Sequence, residues 1–138
     1  YGLLLGWTSI NEEINMLPFI FYLGAIFWTL GYDTIYGFQD IEDDEIIGVK
    51  STSIKFKKNP KIFLCFSYLL FIFFFVVTGF ELNLNKFFFM GAIIVFIHLF
   101  FFQIIGFEKK NKLKCLNIFK SNNLLGLIIL MSIVLGKI

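Results

Sequence analysis

From Ile62 to Phe80 the chain runs nineteen residues without one charged side chain. A helix rises about 1.5 Å per residue, so about 20 such residues reach across the hydrocarbon layer of a bilayer. Lipid offers no partner for a loose N–H or C=O, so a run of this kind must satisfy its backbone internally, as a helix. The pattern recurs. Met16–Tyr36, Lys61–Phe80, Phe87–Phe107 and Phe119–Leu135 are each predicted to span, and Tyr1–Thr8 reads as the tail of a further span. Hydrophobic residues make up 58% of the chain and charged ones 16%, the latter gathered in short blocks between the runs. With a mean hydropathy of +0.82, this balance excludes an ordinary water-facing domain. The expected fold class is all-α membrane: a polytopic transmembrane helix bundle of about four full spans plus a partial one.

The charged blocks imply an orientation. Lys50, Lys55, Lys57, Lys58 and Lys61 follow the first full span, and Lys109, Lys110, Lys112, Lys114 and Lys120 follow the third. The opposite side carries Lys86 and Lys137, with Glu12, Glu13 and Glu81. Lysine-rich loops stay cytoplasmic, so both blocks are expected at that face, where they also meet anionic lipid. No nucleic-acid partner is expected. A short polar turn is expected over Asn11–Asn15. The chain opens on Tyr1 with neither a charged leader nor a cleavage site, and an N-terminal part is expected upstream. Phenylalanine accounts for 21 residues and is expected as interchangeable lipid-facing bulk. Cys65 falls in a predicted span and Cys115 in a predicted loop, with no CxxC, so both read as reduced, incidental thiols. Gly79 and Gly136 lie near span ends, which suits helix termination. Pro18 suits a first helical turn.

Six of the ten acidic residues crowd into Tyr32–Thr52: Asp33, Asp40, Glu42, Asp43, Asp44 and Glu45. If the first full helix continues through them at about 100° per residue, Asp40 and Asp44 fall within about 20° of Asp33, on one stripe about 16 Å long. Asp43 and Gln39 lie off its edge, and Glu42 and Glu45 point away. Asp40 and Asp44 are i,i+4 neighbours, whose repulsion a shared cation would reverse. Mg²⁺ prefers oxygen ligands and commonly takes one or two carboxylates together with substrate phosphates. An acidic run is more often a solvated face. Asp33 weighs against that, because an ionisable side chain in the last turn of an apolar span marks a functional site. Gly48-Val49-Lys50-Ser51-Thr52 follows. Gly48 permits a sharp turn, and Lys50 can set a positive charge on a phosphate. Ser51 or Thr52 can donate to the same phosphate or cap the next helix. Further on, His98 and Gln103 are five residues apart, about 140° around an α-helix, and so are expected on different faces. His98 reads as structural or cavity-lining.

The run Asp33-x-x-Tyr36-Gly37-x-Gln39-Asp40-x-x-Asp43-Asp44, followed by Gly48-Val49-Lys50-Ser51-Thr52, resembles the second aspartate motif of the UbiA prenyltransferase family. The likeness is to its 4-hydroxybenzoate polyprenyltransferase branch. Gly37 and Ser53 stand where that branch carries Ala. Gly6-Trp7, the pair His98 and Gln103, and Phe119-Lys120-Ser121-Asn122 are similar to further segments of the branch, so the likeness spans nearly the whole chain.

The resemblance implies the second half of a nine-helix fold around a lipid-open cavity. The family's first aspartate motif is not in this sequence, so the chain alone is expected to be inactive. It further implies Mg²⁺ held by Asp40 and Asp44, with Asp43 beside them, gripping a polyprenyl diphosphate. Lys50 would stabilise the leaving diphosphate, and Tyr36, Gln39, Ser51 and Thr52 would contact substrate. Asp33 would orient the phenol of 4-hydroxybenzoate or take the ring proton. The implied setting is ubiquinone biosynthesis at a bacterial inner membrane, with membrane lipid around the bundle. Rival readings are another enzyme of the family, acting on haem, a menaquinone or a tocopherol precursor, a cation transporter whose carboxylates line a path, or an inactive membrane scaffold.

Overall fold

A computed structural model describes residues 2–11 and 16–138, with the side chains of the first helix described from Leu5 to Ser9. The described residues are helical, with no strand among them: α1 (Gly2–Asn11), α2 (Leu17–Gly37), α3 (Ile41–Ile47), α4 (Thr52–Lys55), α5 (Pro60–Glu81), α6 (Lys86–Ile97) and α7 (Lys112–Lys137). A π-wound segment, His98–Ile105, continues α6 without a break. Most of the polar turn expected at Asn11–Asn15 lies outside the described residues.

The chain is an all-α bundle with long apolar helices. Pro60–Glu81, Lys86–Ile105 and Lys112–Lys137 are long and apolar enough to cross a membrane. The fourth expected span, α2, has the length at 21 residues, but Asp33 and its tyrosines dilute its hydropathy. Pro18 and Pro60 sit in the first turns of α2 and α5, where the missing N–H costs nothing.

Packing between helices in lipid rests on close fit rather than on the expulsion of water. Gly31 of α2 is covered by the ring of Tyr68 on α5, and a Cβ there would overlap it. Gly24, seven residues earlier, meets Phe71 and Phe74 in the same seam. Gly79 and Gly136 are not terminators. Gly79 lies inside α5, and both lie against Phe88, so their lack of a side chain makes room for that ring. The phenylalanines divide into two sets, contrary to a uniform lipid-facing role. Phe38, Phe71, Phe75, Phe88 and Phe107 are buried in the core, while Phe66, Phe73, Phe80, Phe87 and Phe101 face outward. Phe71, Phe75 and Phe88 form a continuous run of ring contacts, with centroids 5.6 and 4.7 Å apart.

α7 begins at Lys112, ahead of the expected Phe119. Its first turns are polar outward but bury Cys115 and Ile118, which a hydropathy window passes over. Cys115 is therefore a helical core residue and not a loop thiol; Cys65 is half-buried, and both are free. The loops at residues 38–59 and 106–111 meet at one end of the bundle, where Phe38 packs edge-on against Phe107 at 5.1 Å. The other end is closed by the Asn85 N–H, which donates to the Gly136 carbonyl at 2.8 Å. The two main lysine blocks thus share one end, and Lys86 and Lys137 share the other.

Candidate functional site

The acidic stretch is not one continuous helix. α2 stops at Gly37, and the Phe38 and Gln39 N–H groups bond back to Ile35 and Tyr36, tightening the last turn. Asp40, at φ −117° and ψ 17°, opens α3 as its N-cap. The cause is tertiary: Phe38 and Ile41 are both buried, and the chain turns so that both reach the core. The single stripe through Asp33, Asp40 and Asp44 is therefore not formed. Asp33 remains on α2, and Asp40, Asp43 and Asp44 belong to α3.

Across the break the backbone still links Asp40 to Asp44. The Asp44 N–H donates to the Asp40 carbonyl at 2.9 Å, one helical turn apart. Asp40 and Asp43 are exposed and Asp44 is half-buried. Carboxylates in the first turn of a helix are favoured by the partial positive charge of its N-terminus, which steadies Glu42, Asp43 and Asp44 there. Gly48 ends α3 at φ +75°, a left-handed conformation that suits Gly, and the N–H groups of Gly48 and Val49 both bond to the Asp44 carbonyl. Glu45 accepts from Lys57 at 2.7 and 2.6 Å, tying α3 to the turn before α5.

Ser51 and Thr52, after Gly48, make contacts with the scaffold. Ser51 caps α4, its hydroxyl accepting from the Ile54 N–H at 3.3 Å. The Thr34 hydroxyl donates to the Leu30 carbonyl, so the Thr52 hydroxyl is the donor in its 2.6 Å bond to Thr34. That bond braces α4 against α2. Lys50 is exposed and makes no ion pair among the described residues. Gln39 is half-buried, and its amide nitrogen is enclosed with no hydrogen-bond partner. A buried donor left open in this way costs free energy unless something fills it. Gly37 and Ser53, the two departures from the branch pattern, touch each other: a Cβ at residue 37 would run into the Ser53 hydroxyl.

Alongside Asp33, α2 and α7 build an aromatic wall. Trp28 meets Tyr32 edge-on at 5.7 Å, and Phe119 contacts Tyr32 at 5.8 Å and Tyr36 at 4.6 Å. The spacing of Trp28, Tyr32 and Tyr36 at i, i+4 and i+8 was the available signal for Trp28 and Tyr32. A buried polar relay holds this wall from behind. The Tyr68 hydroxyl donates to Gln103 Oε1 at 2.5 Å, Gln103 Nε2 donates to Asn122 Oδ1 at 3.0 Å, and Trp28 Nε1 donates to the same oxygen at 2.9 Å. His98 Nε2 lies 3.1 Å from the Ser121 hydroxyl, which itself donates to the Ile118 carbonyl, so the imidazole is the donor. His98 and Gln103 therefore reach consecutive residues of α7. The expectation of separate faces is corrected by the π-winding, which stacks residues five apart rather than four.

Among the described residues no three His, Cys, Asp or Glu side chains gather closely enough to hold a metal ion. Mg²⁺ commonly takes only one or two carboxylates and completes its shell with phosphate oxygens.

A family model described as the UbiA prenyltransferase family matches residues 1–129. A protein of Francisella tularensis subsp. novicida named 4-hydroxybenzoate octaprenyltransferase is 34% identical over 100% of this chain and 48% of its own length. One of Dictyostelium discoideum named 4-hydroxybenzoate polyprenyltransferase, mitochondrial, is 35% identical over 100% of this chain and 30% of its own. The chain thus spans half or less of the length of these relatives. No solved structure matches it.

Proposed function

The chain belongs to the UbiA prenyltransferase family, and on that premise we propose that it is the second half of a membrane enzyme that transfers a polyprenyl group to 4-hydroxybenzoate. The donor is a polyprenyl diphosphate, the cation is Mg²⁺, and the setting is ubiquinone biosynthesis at a bacterial inner membrane with the lysine-rich end cytoplasmic. The observation that carries the reading is the Asp40–Asp44 pair at the start of α3, joined through Gly48 to Lys50 and following the α2 helix that carries Asp33 and the aromatic wall.

Asp40 and Asp44 would hold the ion, with Asp43 alongside. When bound, Mg²⁺ supplies positive charge to the departing diphosphate oxygens. Lys50, unpaired at the same mouth, adds a second charge where negative charge builds. The enclosed Gln39 amide nitrogen is a donor awaiting an acceptor, which a phosphate or carboxylate oxygen provides. Ser51 caps α4 as an acceptor and Thr52 donates to Thr34, which holds α4 so that Lys50 is presented, and the Ser51 O–H can donate to a phosphate oxygen. Tyr36, Tyr32 and Trp28 keep water from the allylic carbon, and their ring faces favour a cation. Asp33, exposed beside that wall, orients the phenol or takes the ring proton.

The test uses membranes expressing the gene in full. Label from a prenyl diphosphate should enter 4-hydroxybenzoate in a Mg²⁺-dependent manner. Label entering a different acceptor, with none in 4-hydroxybenzoate, would reject the substrate assignment.

A further inference from the structure

Ile41 and Glu42, between Asp40 and Asp44 in the chain, belong to a second feature that the loops at the lysine-rich end enclose. A cavity of about 460 Å³ opens between α3, the turn before α5 and the start of α7. Lys57, Lys109, Lys110 and Lys112 line it, and Glu42 is its one carboxylate. Lys57 is already paired with Glu45. Among the described residues Lys109, Lys110 and Lys112 have no ion pair, which leaves three lysines against one carboxylate in the lining. Such crowding of like charge in a concave site is unfavourable until a counter-ion fills it.

The helix behind the cavity adds to the same sign. Lys112 is the first residue of α7, a helix of 26 residues. Its N-terminus carries N–H groups with no partner inside the helix, and the Asn111 side chain satisfies only that of Lys114. A helix start with open N–H groups is an anion site. Phe38 and Ile41 give the cavity an apolar floor.

We propose that this cavity binds a phosphate-bearing anion, held by Lys109, Lys110 and Lys112 and by the N-terminus of α7. The same chemistry is presented by the headgroup of an anionic diacyl lipid and by free inorganic phosphate. The site stands whether or not the transfer reaction assigned above is correct, since it uses none of that reaction's residues.

The experiment places the complete protein in phosphatidylcholine nanodiscs, titrating phosphatidylglycerol into one set and inorganic phosphate into the other. Thermal unfolding midpoints report binding, because a ligand that binds only the folded state raises them. The midpoint is expected to rise with at least one probe: with phosphatidylglycerol if the source is lipid, with phosphate if it is free. A lysine facing an anionic headgroup is worth about a fivefold change in affinity, so K109Q/K110Q/K112Q should weaken the response about a hundredfold. The K86Q/K137Q variant, changed at the far end, should respond like the parent. Seven of the ten lysines on the near side remain in the triple variant, so its orientation is retained. No shift with either probe, or an equal shift in the triple variant, would overturn the proposal. So would loss of prenyl transfer at saturating donor in that variant, which would assign the lysines to the reaction itself.

Discussion

Replacing Gln103 with Leu tests whether the polar relay or apolar packing holds α5, α6 and α7 together. Leu has similar bulk, so the change removes hydrogen bonds without leaving a large hole. Gln103 and Tyr68 are both fully enclosed at 0% exposure. The variant takes from the Tyr68 hydroxyl the acceptor it now uses at 2.5 Å. It takes one of two donors from Asn122 Oδ1, which keeps Trp28. An ordinary hydrogen bond between membrane helices is worth about 0.6 kcal/mol. A buried hydroxyl left without a partner costs about 1–3 kcal/mol. The second effect governs here, because Tyr68 cannot reach water, so the expected loss is about 2 kcal/mol. Adding Tyr68→Phe removes the stranded group and should restore most of that loss. The measurement is reversible denaturant unfolding in mixed micelles, run as a double-mutant cycle on the two residues. A Gln103→Leu cost at or below about 0.6 kcal/mol, or a second substitution that adds to the loss, would refute the reasoning.

Other outcomes follow from the same geometry. Gly31→Ala drives a methyl group into the Tyr68 ring and should cost about 1–3 kcal/mol, whereas Gly126→Ala meets only Trp28 at 3.5 Å and should be tolerated in the same unfolding assay. Asp40→Asn or Asp44→Asn in the complete enzyme should remove Mg²⁺-dependent turnover, and normal activity in either would defeat the ligand assignment. Asp33→Asn should slow turnover with diphosphate binding nearly intact; lost binding would move Asp33 to the metal. Ser51→Ala deletes the α4 cap and should cost about 1 kcal/mol, with Ser51→Asn largely recovering it. If Ser51 instead served a phosphate, Asn would restore stability and leave the KM for the donor raised.

The spans were legible because a run of about 20 apolar residues has one solution in lipid. The break after Gly37 was not, because nothing local forbids helix at Phe38, Gln39 or Asp40. It comes from Phe38 meeting Phe107, a contact 69 residues apart in the chain. The early start of α7 was hidden for a related reason: only Cys115 and Ile118 among its first polar turns are buried. Which phenylalanines form the core was equally invisible, since the residue type is the same on both faces and only the partner helix distinguishes them. At the site, the motif pointed to Asp33, Asp40, Asp43, Asp44 and Lys50 but not to the contacts that Ser51 and Thr52 make after Gly48. A hydroxyl that could serve a phosphate or a cap looks identical in sequence; the structure adds that Ser51 accepts from the Ile54 N–H.

The wide turn from His98 to Ile105 gives this helix an unusual tolerance. Two residues four apart on an ordinary α-helix differ by about 40° in direction, close to how a π-turn aligns two that are five apart. Cutting out Phe101, which faces outward, would therefore let the segment relax to α-winding with His98 still opposite Ser121 and Gln103 still opposite Asn122. In most membrane helices the loss of one residue rotates everything beyond it out of register. Here the backbone holds a spare position, and that position lies on the exposed side of the helix.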